Sequence, residues 1–409
     1  MLTLVLLLAL LGLLLPLILP ALALLLLVAS AWRACPRARR EQLDRPRGPL
    51  LILVPAHDEA DHIQDTVHAL RSQLAPGDRL LVVADNCADL TAERARQAGA
   101  EVLERWDPQR RGKGYALAHG VDHLRQAPPA LVLVVDADCR LSPGAAQRIA
   151  EVCAATRRPV QMLDLMRAAG AAGLMPRILE FAMRVKNQVR PLGTSALGDA
   201  CHLMGTGMAL PWPLLAQAPL ASGHVAEDME LGLWLTRTGH TPCFLPEVRV
   251  TSGFAPQTGA LRRQKTRWEH GHLAVMRQHA KPLLAQALRQ GRAAPLALAL
   301  DLLIPPLALY VLLLGGTSLG WAALLTWGTL PAPVLQLGSL LMGAGLGALV
   351  LALTGAWWRW GRDLLGPLEL LSLPLYALWK LPIYVAYACG RASGWERGGR
   401  PLRHEGDPS

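Results

Sequence analysis

The apolar run Ala130 to Val135 ends abruptly at Asp136-Ala137-Asp138. So short and β-branched a run describes a buried strand, and the carboxyl ends of such strands are where open α/β sheets bind ligands. Two carboxylates one residue apart can approach one hard cation, and Mg²⁺ held by one or two carboxylates plus substrate phosphates is a familiar arrangement. The same spacing also suits an ordinary acidic turn. Val54-Pro55-Ala56-His57-Asp58-Glu59 closes one earlier apolar run, and Ala84-Asp85-Asn86-Cys87-Ala88-Asp89 closes another. Polar residues at successive strand ends build a crevice edge suited to a nucleotide base and ribose, while capping by Asp58 or Asp89 is the plainer alternative. Arg110-Arg111-Gly112-Lys113-Gly114 precedes a helical pattern. Glycines and a lysine at a helix N-terminus favour an anion such as a diphosphate, although the P-loop spacing is missing. Further on, Glu227-Asp228 opens a helical pattern reaching Thr238, and Gln264-Lys265-Thr266-Arg267-Trp268 lies in a basic amphipathic stretch. Acidic first turns also cap helices, and Arg-Trp pairs also pack at membrane surfaces.

The elements that must position these residues alternate between strand and helix patterns. Strands are expected at Leu50 to Val54, Arg79 to Val83 and 130–135, and helices at Glu59 to Leu74, Thr91 to Ala98 and Lys113 to Arg125. This order predicts an α/β unit built on a mainly parallel sheet with helices on its faces.

The flanks are different. Of the 409 residues, 52% are hydrophobic, more than an ordinary soluble domain carries. Leu2 to Ser30 is uncharged and long enough to span a bilayer. It lacks the basic n-region of a cleavable signal and is read as a retained anchor. Arg33, Arg37, Arg39, Arg40, Arg45 and Arg47 follow it, which places that flank in the cytoplasm. Leu296 to Leu314 contains Asp301 and Pro305-Pro306, so any helix there is kinked. Asp301 and the two prolines could line a path for a product, although a plain packing kink is the better account of them. Val334 to Ala356 is a cleaner span, closed by Trp357-Trp358-Arg359-Trp360 and Arg362. Pro367 to Cys389 is interrupted by Glu369, Pro374, Lys380 and Pro382, and reads best as interfacial or re-entrant. Three spans are expected, or five if Gly316 to Leu330 also crosses. The net charge of +10 is largely membrane-flanking and points to anionic lipid headgroups rather than nucleic acid. The seven scattered cysteines, with no C-x-x-C, read as free thiols, and His270-Gly-His272 lacks zinc spacing.

Taken in order, these motifs resemble the membrane-bound family 2 glycosyltransferases of GT-A fold, the group of the cellulose, hyaluronan, chitin and poly-N-acetylglucosamine synthases. The resemblance covers about residues 50–280 and continues into the flanking helices. It implies an inverting hexosyltransferase using a nucleotide-sugar, most often a UDP-sugar, with Mg²⁺ or Mn²⁺ as cofactor. By it, Asp85 contacts the base within a donor site that also includes Pro55, Glu59, Lys113, Asp136 and Arg267. Asp136 and Asp138 hold the metal. Asp228 is the general base and Glu227 shapes its surroundings. Gly205-Thr206-Gly207 looks like the acceptor-side turn, and Gln264, Arg267 and Trp268 form a Q-x-x-R-W motif with Gln264 and Trp268 toward the acceptor. The chain departs from its relatives at Ala226, where a threonine is usual, and at Asn86 and Cys87, where another acid and a serine are common. The implied acceptor is a growing glycan or exopolysaccharide; a lipid acceptor, as in ceramide or hopanoid glucosyltransferases, is the alternative, and a non-catalytic scaffold a third. Polysaccharide systems often work with export proteins, though no residue here identifies one. The expected organisation is a membrane helix at 1–30, a basic linker at 31–49, a cytoplasmic catalytic unit at 50–290, membrane or interfacial helices at 291–390 and a basic cytoplasmic tail at 391–409, in a multi-pass protein of the inner membrane.

Overall fold

A computed structural model describes residues 1–34, 47–168, 173–254, 258–327 and 330–389. Arg37, Arg39, Arg40 and Arg45 of the basic linker, Cys35 and the tail from residue 391 lie outside the described residues. The described cysteines are all free thiols.

Eight strands form one sheet: β1 (Leu50–Ala56), β2 (Arg79–Asp85), β3 (Glu101–Arg105), β4 (Leu131–Val134), β5 (Arg140–Leu141), β6 (Val160–Arg167), β7 (Met208–Pro211) and β8 (Cys243–Gly253). Their order is β3-β2-β1-β4-β7-β6-β8-β5. Side chains of β1 alternate between two cores, as the pleat requires. Leu50, Ile52 and Val54 pack with Ile63 and Val67 on one face. Leu51 and Leu53 pack with Leu117 and Val121 on the other, where the helix Glu227–Arg237 contributes Leu231 and Leu235. Burial on both faces explains why these strands read as unbroken apolar runs.

The expected parallel pairing holds for β3-β2-β1-β4 and again for β6-β8. β7 runs antiparallel between β4 and β6, and β5 is antiparallel to β8. The reversal begins at Gly205 and Gly207, with φ of +91° and +63°, which turn the chain into the sheet from its ligand edge. Glycine adopts that backbone region without steric cost.

Four helical segments are long and apolar enough to cross a membrane: Leu2–Arg33, Leu307–Thr326, Ala332–Trp360 and Pro367–Ala388. The expected kinked span from Leu296 is instead two helices. Ala293–Leu302 stops before Pro305-Pro306, and Leu307–Trp327 starts after them, because proline breaks the preceding turn and suits a helix start. Residues 316–327 therefore continue that helix and are not a further crossing. The C-terminal ends of Leu2–Arg33 and Ala332–Trp360 meet each other. Trp32 donates to the Gly355 carbonyl at 3.2 Å, and Arg359 stacks over the Trp32 ring. The Pro367–Ala388 segment is held along its length by the sheet domain. Arg177 reaches Glu369 at 2.6 Å, Lys380 pairs with Glu269, and His270 bonds the Ile383 carbonyl.

The N-terminal helix also docks on the helix Arg190–Gly198. A Cβ built on Gly193 would fall 2.3 Å from the Leu27 carbonyl oxygen, and backbone cannot yield to it. Gly193→Val is therefore expected to lower stability by about 2 kcal/mol, read as a drop in melting temperature of detergent-solubilised protein. Gly12→Ala, where a Cβ meets nothing within 4 Å, should leave the melting temperature unchanged or slightly raised.

Candidate active site

The carboxyl ends of β1, β2 and β4 open onto a cleft of about 760 Å³. Asp136 follows β4, where its backbone N–H donates to Thr206 Oγ1 at 3.1 Å. Lys113, the first residue of the helix Lys113–Leu124, pairs with Asp136 and donates to the Gly205 carbonyl at 3.0 Å. Two glycines make this possible. Gly112 sits at φ +134°, and a Cβ on Gly114 would fall 2.6 Å from the Leu220 carbonyl oxygen. Glu227 and Asp228 open the helix Glu227–Arg237. A Cβ placed on Gly205 would lie 3.3 Å from both Asp228 Oδ2 and Lys113 Nζ, so the acidic pair and the Lys113–Asp136 pair meet across this bare glycine.

Acidic groups outnumber cations here. Burial, then the Asp228 charge, pushes the Glu227 carboxyl up, and burial raises Asp228 as well, with Lys113 opposing. Burial and the Asp136 charge raise Asp138. Burial by itself would lower the Lys113 ammonium, but Asp136, Glu227 and Asp228 outweigh it and raise its pKa.

Asp85, at the end of β2, is buried and accepts from Arg105 at 2.5 Å and from Asn86 at 3.1 Å. Asn86, one of the departures noted in the sequence, ties β2 to the segment after β3: its Oδ1 accepts from the Asp107 N–H at 2.7 Å. Pro55 and Glu59 line the same end of the cleft. The helix Thr258–Gln290 supplies Gln264, Arg267 and Trp268 to the other wall. Arg267 makes no hydrogen bond or ion pair with any described residue, and Gln264 Oε1 is buried without a partner. Every residue singled out in the sequence as a donor, metal, acceptor or catalytic group lines this cleft except Gly207. That one is a correction. Gly207 lies behind the wall, where its N–H donates to the Val134 carbonyl at 2.9 Å and a Cβ would strike Met162 and Val250. Its part is joining β4 to β6.

Sequence reading missed a second layer: Asp164, Lys186, Asn187, Arg190, His202 and His272 also line the cleft. Asp164 accepts from Asn187 at 2.9 Å, and its Oδ1 has no partner. Burial and the Asp136 charge push it up to about 7. A lone carboxylate in the apolar run Met162–Met166 was a legible signal. Lys186 and Asn187 stand on a π-helical turn, Val185–Val189, a local insertion that periodicity does not reveal. Asp301 takes a bidentate pair from Arg190 at 2.6 and 2.9 Å, so it is paired with the domain and is not a free polar group on a path. His270 and His272 bond the Ile383 and Ile304 carbonyls.

The donor set suits a hard divalent cation. Asp136 and Asp138 offer carboxylate oxygens, and their mutual charge raises the pKa of the buried Asp138, a strain that a dication between them would relieve.

The family model described as "Glycosyltransferase like family 2" matches residues 46–271. The chain belongs to this family. It is a family 2 glycosyltransferase, and its mixed α/β sheet with apolar helices on both flanks is a GT-A domain with membrane-type flanks. Among solved structures it is similar to the mannosyltransferase PcManGT from Pyrobaculum calidifontis, in complex with GDP-Man and Mn²⁺, at 19% identity over 84% of this chain and 99% of that one, with a TM-score of 0.49. It is also similar to mannosyl-3-phosphoglycerate synthase from Rubrobacter xylanophilus (20% identity, 61% and 81% covered, TM-score 0.40). A third is glucosyl-3-phosphoglycerate synthase from Mycobacterium tuberculosis, in complex with Mn²⁺, UDP and glucosyl-3-phosphoglycerate (19%, 55% and 80%, 0.33). No curated protein matches the sequence.

In this glycosyltransferase the raised pKa of Asp164 has a stability consequence. The unfolded chain releases that proton near pH 4, the folded one near 7, so stability present below about pH 4 is lost as pH rises through 7. Asp164→Asn keeps a side-chain oxygen for Asn187 and removes the titration. Its melting temperature in EDTA should exceed wild type at pH 8 by the equivalent of about 4 kcal/mol, and the gap should close by pH 4.

Proposed function

We propose that the chain catalyses inverting transfer of a hexosyl group from a nucleoside diphosphate sugar to a hydroxyl acceptor presented at the membrane surface. The observation that carries this reading is the meeting of Glu227-Asp228 with Lys113-Asp136 across Gly205. One side can take a proton from an acceptor and the other can hold a diphosphate. The acceptor oxygen forms a bond to the anomeric carbon as the bond from that carbon to the β-phosphate oxygen breaks. The acceptor proton passes to the Asp228 carboxylate, and the nucleoside diphosphate leaves with the bonding electron pair. Burial raises the basicity of Asp228, and burial and the Asp228 charge raise that of Glu227 beside it.

Arg267, which has no hydrogen bond or ion pair among the described residues, supplies charge to the diphosphate, as does Lys113. Pro55, Glu59 and Asp85 border the nucleotide end, and Gln264, Trp268 and the Gly205-Thr206 turn border the acceptor end. Asp136 and Asp138 would hold Mg²⁺ or Mn²⁺, which supplies Lewis-acid stabilisation of the leaving diphosphate when bound. In this reading residues 50–290 form the catalytic unit and Gln264, Arg267 and Trp268 act as a Q-x-x-R-W motif. The unit faces the cytoplasm of the inner membrane, where activated sugars are made and where the arginines flanking the helices favour it.

A UDP-sugar donor and a growing glycan acceptor follow from the likeness to polysaccharide synthases. A lipid acceptor is the second reading. It is favoured by a specific observation: Met183, Lys186, Arg190, Trp268 and His272 are shared between the cleft and a smaller cavity of about 100 Å³ walled by the first turns of the helix Leu307–Trp327.

Purified protein incubated with a panel of nucleotide sugars should release nucleoside diphosphate with at least one donor, and none in EDTA. Asp228→Asn should cut transfer by roughly 10²–10⁴-fold; undiminished transfer would remove Asp228 from the mechanism. Because burial raises both acids, the wild-type rate should fall on the acid side at a pH well above the ordinary carboxylate range of about 4, as the base becomes protonated.

A further inference from the structure

The wall of the smaller cavity carries more cations than carboxylates. It holds Lys186, Arg190, Lys265 and Lys380, and Glu269 is the sole carboxylate lining it among the described residues. Arg190 is matched by Asp301, and Lys380 by Glu269. That leaves Lys186 and Lys265 without a hydrogen bond or direct ion pair among the described residues. Lys265 is only 3% exposed, and its ammonium is held between aromatic faces, 5.1 Å from the Phe254 ring centre and 4.8 Å from that of Trp268. Burying an unpaired ammonium is costly, and stacking on two rings offsets only a part of that cost. Burial, then the charge of Lys380, pulls the Lys265 pKa well down, which an anion in the cavity would reverse.

The rest of the wall is apolar. Phe181, Leu307, Ala308, Val311 and Leu353 line it, the last four on helices long and apolar enough to lie in a bilayer. The geometry points to an anionic membrane lipid as the acceptor, its phosphodiester held between Lys186 and Lys265, its acyl end against Leu307, Val311 and Leu353, and a headgroup hydroxyl reaching Asp228 past Lys186 and Trp268, which line both cavities. This rests on the glycosyl-transfer reading above and narrows its acceptor. The bond made is from the headgroup oxygen to the anomeric carbon, with the hydroxyl proton passing to Asp228 and the nucleoside diphosphate departing. Lys265 is a specificity residue here, since it meets the phosphodiester and not the reacting atoms.

The test compares lipids on the intact protein in detergent. Native mass spectrometry with phosphatidylglycerol, phosphatidylcholine and diacylglycerol should show preferential retention of phosphatidylglycerol. Lys265→Met should weaken that retention at least about tenfold, and Lys265→Arg should keep it. Equal retention of the three lipids, an unchanged preference in Lys265→Met, or equal competition by water-soluble glycerophosphoglycerol would each overturn the inference. A second arm adds radiolabelled nucleotide sugars to phosphatidylglycerol vesicles, where label should enter the lipid extract. Nucleoside diphosphate release without label in the lipid would sink the lipid acceptor and leave glycosyl transfer standing. No release with any donor would sink the transfer reading, and the retention comparison would still decide the lipid site.

Discussion

The ammonium of Lys113 is the point on which the site depends. It sits on the first residue of a helix, bonds Asp136 from one strand end and the Gly205 carbonyl from another, and lies across Gly205 from Asp228. A buried cation is tolerated only where anions compensate it, and a cluster of buried carboxylates is tolerated only where a cation does the same. Each half of the cleft therefore makes the other affordable to the fold. The acids lining the cleft outnumber its cations, and burial, helped by neighbouring carboxylates at Asp138, Asp164 and Glu227, raises Asp138, Asp164, Glu227 and Asp228, which leaves the site receptive to a divalent ion and to a proton from a substrate.

The scaffold delivers these groups by a simple rule. Parallel strands with both faces buried end together, so their polar carboxyl-terminal residues share one edge. The antiparallel β7 then brings the Gly205-Thr206-Gly207 turn to that same edge from the opposite direction. Gly205 is bare so that Lys113 and Asp228 can approach, while Gly207 is bare so that Met162 and Val250 can close the sheet beneath.

On the other side, the helix Thr258–Gln290 joins the cleft to the apolar helices. It presents Gln264, Arg267 and Trp268 to the cleft and turns Lys265 and Glu269 toward the smaller cavity. The segment from Pro367 is bound to it through the Lys380–Glu269 pair, and Arg184 reaches Asp363 at 2.7 Å from the sheet domain. The catalytic cleft and the membrane-facing helices are thus one packed body, which is what an acceptor drawn from the bilayer would require.

The sequence by itself determined the first strands and helices, the apolar flanks and the order of the chemical motifs, because each is written in local periodicity or in adjacent residues. Asp136-Ala-Asp138, Glu227-Asp228 and Gln264 to Trp268 are legible as pairs and short runs. Tertiary structure alone decided what these runs face. That Lys113 pairs with Asp136, that Arg105 takes Asp85, and that Gly207 belongs to the sheet and not to the cleft are matters of partners distant along the chain. The antiparallel β7 and the break at Pro305-Pro306 likewise depend on where the chain must turn, and the π-turn that aims Lys186 and Asn187 has no periodic signature. Buried charge is the common reason: a sequence shows which residues carry it, and only packing shows what neutralises it, or that for Lys265 no described residue does.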